Sequence, residues 1–157
     1  MEDHARKLVE RGRKDAGRIG AFMAAHALKP DRVLVSPAER TQETWKYLSL
    51  ALRPTASATL VERLYDATPH TILSAIKETP ASAHTLMVVG HNPGLQEVAL
   101  MLIASGDIDA RERLHEKLPT SGLVIIDFAF DDWARLHPES GRLALFVTPK
   151  TLEAAAH

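Results

Sequence analysis

Short aliphatic runs that stop at a polar turn and give way to helical spacing recur along this chain. "RVLVS" at 32–36 and "TLMVVG" at 85–90 are the clearest. Each run is apolar on both faces, so a strand built from it must be covered above and below. Helical spacing follows each one, and such alternation folds as a mostly parallel sheet between two layers of helices. The expected architecture is a three-layer α/β/α domain.

The other segments fit that frame. The polar residues 1–15 read as a loop leading into a helix on which Ala16, Ile19, Gly20, Met23 and Ala27 share one face. Lys29-Pro30-Asp31 ends it. After the strand at 32–36, Ser36 reads as an N-cap, Pro37 as the first helical residue and Glu39 as the partner in a capping box. Thr41, Trp45, Leu48 and Leu52 continue that helix. A small strand is expected at 58–61, and Thr68-Pro69 opens a helix carrying Ile72, Leu73 and Ile76. The strand at 85–90 meets a helix that starts at Asn92-Pro93 and turns Leu95, Val98, Ala99 and Leu102 inward. Strand signals at 122–130 and 142–147 are separated only by residues 131–141. That is too short for a parallel crossover, so an antiparallel strand is expected near the C-terminal end of the sheet.

Bulk properties narrow the function. A chain of 157 residues fits one domain with a substantial core. It contains no cysteine, which excludes disulfides, thiolate catalysis and cysteine-based metal sites, and which fits a cytoplasmic location. A formal net charge of -1 provides no electrostatic case for nucleic acid or an anionic membrane. No apolar run reaches the roughly 18 residues that would span a bilayer. The eight histidines are scattered without ligand spacing, so neither a metal nor another cofactor is expected. Serine-hydrolase elbows, phosphate loops, dinucleotide fingerprints and zincin motifs are absent from the sequence.

In open α/β sheets, ligands bind beyond the carboxyl ends of the strands, where helix N-termini present free N–H groups. "VLVSPAERT" puts Arg40 just past one such strand end, and "VVGHNPG" puts His91 at another. A guanidinium, an imidazole and helix N-termini suit a small oxyanion, phosphate above all. Taken singly, each residue has a plainer reading, Arg40 as a solvated charge and His91 as a hydrogen-bonded loop residue.

The ordered set of segments resembles the histidine phosphatase superfamily in its SixA-type branch. "LVERGRKDA", "SPAERTQET", "VERLYDA", "VVGHNPG", "LPTSGLVIIDF" and "FVTPKTL" carry the likeness nearly end to end. The resemblance implies a phosphoglycerate-mutase-like fold and a phosphohistidine phosphatase working through a covalent phosphohistidine. It makes Arg40 and His91 phosphate-binding, with His91 also a catalytic stabiliser of transition-state charge. Glu62 matches the family's general acid, and Asp66 is a second candidate. Implied substrates are a phosphohistidine-bearing protein or a small phosphorylated molecule. The site has no large insertion to enclose it, which favours the protein. The family's attacking histidine sits in an Arg-His-Gly or Arg-His-Ala motif on a first strand, and nothing ahead of "EDHARKL" matches it. His4 corresponds instead to the loop after that motif. The expectation is a single domain over residues 1–157 lacking that strand, which the resemblance makes central and adjacent to the His91 strand. The alternative is a non-catalytic phosphate- or phosphoprotein-binding module that has lost its nucleophile. Oligomeric state is not readable.

Overall fold

A computed structural model describes residues 3–155. Met1 and His157, both part of the sequence reading, lie outside the described residues. In chain order the elements are α1 (Glu10–Ala25), β1 (Arg32–Val35), α2 (Glu39–Ser49), β2 (Ala58–Leu60), α3 (Pro69–Lys77) and β3 (Leu86–Val89). They continue as α4 (Gly94–Leu102), β4 (Ile103–Gly106), α5 (Ile108–Glu116), β5 (Leu123–Phe128), β6 (Gly141–Val147) and α6 (Pro149–Ala155).

The strands form two three-stranded sheets, ordered β2-β1-β3 and β4-β6-β5. All pairings in the first are parallel. In the second, β4 is parallel to β6 and β5 is antiparallel to it, as the short 131–141 connection requires. Period-2 alternation sorts the side chains onto two faces. Met87, Leu123, Ile125, Leu145 and Val147 pack with Ala16, Ile19 and Met23 of α1 and Leu48 of α2. Leu34, Leu86, Val88 and Ile126 pack on the other side with Ile72 of α3 and Val98 of α4. The result is a layer of α1, α2 and α6, a layer of strands, and a layer of α3, α4 and α5. The α/β architecture read from the sequence is therefore observed, with the sheet divided in two.

Several local expectations change. The first helix starts earlier than its apolar stripe suggested, at Glu10, because its polar early turns face solvent. Thr68 caps α3 as expected, accepting from the Thr71 amide. The capping box at Ser36 does not form: α2 begins at Glu39, with Ala38 in the N-cap position and no side-chain cap. Ser36 is instead fully buried, with its hydroxyl turned to another partner described below. Among the described residues no helix is long and apolar enough to cross a membrane.

Candidate functional site

In-register pairing of β1 with β3 sets Val35 opposite Val89, and the Ser36 amide donates to the Val89 carbonyl at 3.0 Å. The residues that follow each strand therefore emerge side by side at one sheet edge. Arg40 arrives in the first turn of α2 and His91 in the turn before α4. Arg40 Nη2 lies 3.0 Å from His91 Nδ1, and Ser36 Oγ lies 2.7 Å from His91 Nε2.

These two contacts determine the tautomer. A guanidinium can only donate, so Nδ1 must be the accepting nitrogen. The proton of the neutral ring then resides on Nε2 and is donated to Ser36 Oγ. Burial lowers the pKa of His91 first, and the Arg40 charge lowers it further, while Asp3 and Asp66 oppose the shift. Both ring nitrogens are thus engaged, and the imidazole has no free lone pair with which to attack phosphorus.

Two residues at this edge were not singled out from the sequence. Asp3 lies in a short 3-10 turn (Asp3–Ala5), and its carboxylate accepts from Arg40 Nη2 at 3.3 Å and from the Tyr65 hydroxyl. Arg40 Nη1 also donates to the Asp3 carbonyl at 2.8 Å. The Tyr65 hydrogen bond does most to hold the Asp3 carboxyl below its usual range; burial opposes it, and the Arg40 and Arg6 charges add to the lowering. Tyr65 sits edge-on to His91, with ring centroids 5.4 Å apart, and the His4 ring lies 4.7 Å from Tyr65 on its other side. The Asp3 carboxylate and carbonyl thus both engage the Arg40 guanidinium.

Glu62 and Asp66 differ in their relation to this cluster. Glu62 is exposed at the start of a 3-10 turn (Glu62–Leu64). Asp66 takes a left-handed conformation, φ 52°, directly after Tyr65, and its charge is felt at both His91 and Tyr65. Gly94 explains the end of the "HNPG" knot. A Cβ there would lie 2.2 Å from the Ala67 carbonyl, so only glycine lets α4 start this close to the Ala67 backbone.

A sizeable cavity lies apart from this cluster. It lies deeper, between β3 and β5, with a volume near 650 Å³. No group of three or more potential metal ligands occurs among the described residues.

No family model matches the chain. Curated relatives do: an uncharacterised protein of Mycobacterium tuberculosis is 35% identical over 152 residues, covering 96% of this chain and 93% of its own. An uncharacterised protein of Mycobacterium leprae is 34% identical over 151 residues, covering 96% and 91%. Among solved structures, a protein provisionally described as the phosphohistidine phosphatase SixA of Agrobacterium tumefaciens superposes with a TM-score of 0.79 at 27% identity. That match covers 95% of this chain and 87% of the other. A second such protein, from Nakamurella multipartita, has a TM-score of 0.83 at 24% identity, covering 95% and 88%. A protein histidine phosphatase SixA in complex with tungstate has a TM-score of 0.76 at 17% identity, covering 96% and 89%, and bears on the fold alone. The parallel sheet edge that joins Arg40 to His91 and the end-to-end superposition lead to one conclusion: this chain has the fold of the SixA phosphohistidine phosphatases of the histidine phosphatase superfamily, and is similar in sequence to one of them.

Proposed function

We propose that this domain grips the phosphoryl group of a phosphohistidine through Arg40 and His91, in a protein that hydrolyses it. The observation that carries the reading is the Arg40–His91–Ser36 chain at the sheet edge, with its two contacts of 3.0 and 2.7 Å. Arg40 supplies a fixed positive fork for equatorial phosphate oxygens, and the imidazole, protonated as the oxyanion arrives, stabilises charge spread over them.

In the proposed reaction the P–N bond of the substrate breaks as a new P–N bond forms to an enzyme histidine. The departing imidazole nitrogen takes up a proton, and water then cleaves the phosphoenzyme to release inorganic phosphate. The attacking histidine is a residue other than His91, whose two nitrogens are committed to Arg40 and Ser36. The resemblance assigns the attack to a histidine in an Arg-His-Gly or Arg-His-Ala motif, which these 157 residues do not contain. Glu62 is the acid implied by the resemblance, while Asp66 is favoured by the charge that His91 feels. Arg40 is partly open to solvent, its side chain 20% exposed, and an accessible grip of this kind suits a histidine protruding from a protein partner.

A second reading, a phosphate-binding module without turnover, is favoured by the same engaged state of both His91 nitrogens. The test is vanadate binding and phosphohistidine hydrolysis by the 157-residue chain. Weak vanadate binding that Arg40→Ala abolishes, with no turnover, is expected. Robust turnover abolished by His91→Ala would make His91 the nucleophile and overturn the mechanism. In a form that does turn over, Arg40→Ala should cost about 10²–10³ in rate. Glu62→Ala should cost far less, because a protonatable nitrogen leaves readily. Phosphoenzyme trapped on His4 would show that the attacking group lies within these residues after all.

A further inference from the structure

The two carboxylate oxygens of Asp3 have different partners. Oδ2 accepts from Arg40 Nη2 at 3.3 Å and from the Tyr65 hydroxyl, whereas Oδ1 meets Arg6 Nη2 at 3.3 Å. Both side chains of the Arg6 pair are largely exposed, and such a pair contributes little in water. Oδ1 is therefore open to a donor that a ligand brings. An oxyanion arriving at Arg40 competes with Oδ2 for Nη2, and the carboxylate then keeps Tyr65 as its anchor. Neither Glu62 nor Asp66 has a hydrogen bond to Arg40, His91 or Tyr65 among the described residues, so Asp3 is the acid tied directly to the grip.

A carboxylate beside a phosphoryl grip repels the group that Arg40 attracts. The arrangement suits a ligand that carries a proton donor next to its phosphoryl group. An N-phosphorylated imidazole is such a ligand: its other ring nitrogen, once protonated, presents an N–H, and an alkyl phosphate has no counterpart. The ring environment fits as well. Tyr65 is half-buried between two imidazoles, with the exposed His4 ring 4.7 Å away and tilted by 49°, and His91 edge-on at 5.4 Å. A planar ring brought to this corner meets aromatic neighbours.

We infer that Asp3 sets specificity for the imidazole of the substrate, accepting a hydrogen bond from the ring nitrogen that does not carry phosphorus. Arg40 and His91 meanwhile hold the phosphoryl group. The inference deepens the phosphohistidine reading and rests on it. It also bears on the departure of the ring. A carboxylate at the distal N–H favours the protonated ring. When the P–N bond breaks, its electron pair stays on the departing nitrogen and a neutral imidazole leaves. Proton uptake at the departing nitrogen then no longer limits the step. The Tyr65 hydrogen bond, which does most to keep the Asp3 carboxyl below its usual range, keeps the acceptor charged.

Stable probes separate these contributions. Imidazol-4-ylphosphonate carries a ring with an N–H, phenylphosphonate a ring alone, and methylphosphonate neither. Titration calorimetry with the 157-residue chain, at mildly alkaline pH, should rank their affinities in that order. The imidazolyl probe should bind about tenfold more tightly than the phenyl one, the scale of one hydrogen bond to a charged group. Asp3→Ala should bring that ratio close to one without weakening tungstate binding. Equal affinities in the unaltered chain, or a ratio that survives Asp3→Ala, overturn the inference. Parallel weakening of tungstate and both ring probes in Asp3→Ala does so too, because Asp3 would then only brace Arg40. A ratio that falls in Asp66→Ala and not in Asp3→Ala transfers the role to Asp66. Tungstate binding that survives Arg40→Ala removes the phosphoryl grip and this inference with it. Tungstate binding lost in Arg40→Ala, with equal affinities for the two ring probes, removes this inference alone.

Discussion

Replacing Ser36 by alanine isolates the contact that orients His91. The Ser36 hydroxyl is fully buried and is the acceptor for the Nε2–H of the ring, 2.7 Å away. Arg40 already occupies Nδ1, so the ring cannot flip to offer its proton elsewhere without facing two N–H groups toward each other. Removing the oxygen leaves a half-buried N–H without a partner, a loss of about 1–2 kcal/mol when the usual cost is discounted for partial exposure. For a domain of this size that corresponds to a drop in Tm of about 2–8 °C. The loss at the site should be comparable: a ring no longer held in place weakens tungstate binding by roughly tenfold, the equivalent of about 1.4 kcal/mol. Differential scanning calorimetry reads the first quantity, titration calorimetry with tungstate the second, and ¹⁵N shifts of the His91 ring the tautomer. An unchanged Tm and unchanged affinity, with the ring still protonated at Nε2, would refute the role assigned to Ser36.

Three further outcomes follow from the same geometry. Asp3→Asn removes the carboxylate that competes for Arg40, so tungstate affinity should rise by a few-fold; an unchanged or lower affinity would mean that Asp3 is not in the way. Because burial and Arg40 depress the pKa of His91, the unfolded chain takes up that proton first, and its contribution to stability is lost as pH falls through the ordinary histidine range. A bound dianion favours the protonated ring, so sulfate, whose own charge is constant over this range, should bind more tightly as pH falls, and the His91 shift titration should move upward in its presence. On α1, a Cβ at Gly20 would lie 2.0 Å from the Leu48 carbonyl, whereas one at Gly17 meets nothing within 4 Å. Gly20→Ala should therefore destabilise by about 1–3 kcal/mol or more. Gly17→Ala should stabilise by up to about 1 kcal/mol, and urea midpoints that rank the two the other way would contradict the α1–α2 packing.

Where elements follow from local periodicity, the sequence was sufficient. The runs at 32–36 and 85–90 read as strands covered on both faces; both are strands, but only β1 is buried along nearly all its length, while β3 is half-buried up to Val89. Thr68-Pro69 opens α3 because an N-cap and its helix lie within three residues of each other. The pairing of Arg40 with His91 at one sheet edge was legible for a similar reason. Each is fixed by its distance from a strand end, and parallel in-register strands bring those ends together. The segment 103–116 was not legible. Residues 103–106 follow a helix without a break, and α5 buries only Ala110 and Leu114, too narrow a stripe to register as periodicity.

What only the tertiary structure decided are the partners distant in sequence. Ser36 has the local chemistry of a helix cap, yet its hydroxyl faces His91, 55 residues away, because strand pairing offers that acceptor role first. Asp3 and Tyr65 carry no mark in the sequence that they meet across 62 residues. The same limit applies to the sheets: strand patterns identify β3 and β5, but not that each ends as the edge of a separate sheet. Local spacing determines which backbone becomes a strand and where its reactive residues emerge. Which edges and side chains meet depends on the closure of the whole chain, where every polar group competes for the nearest partner that folding brings to it.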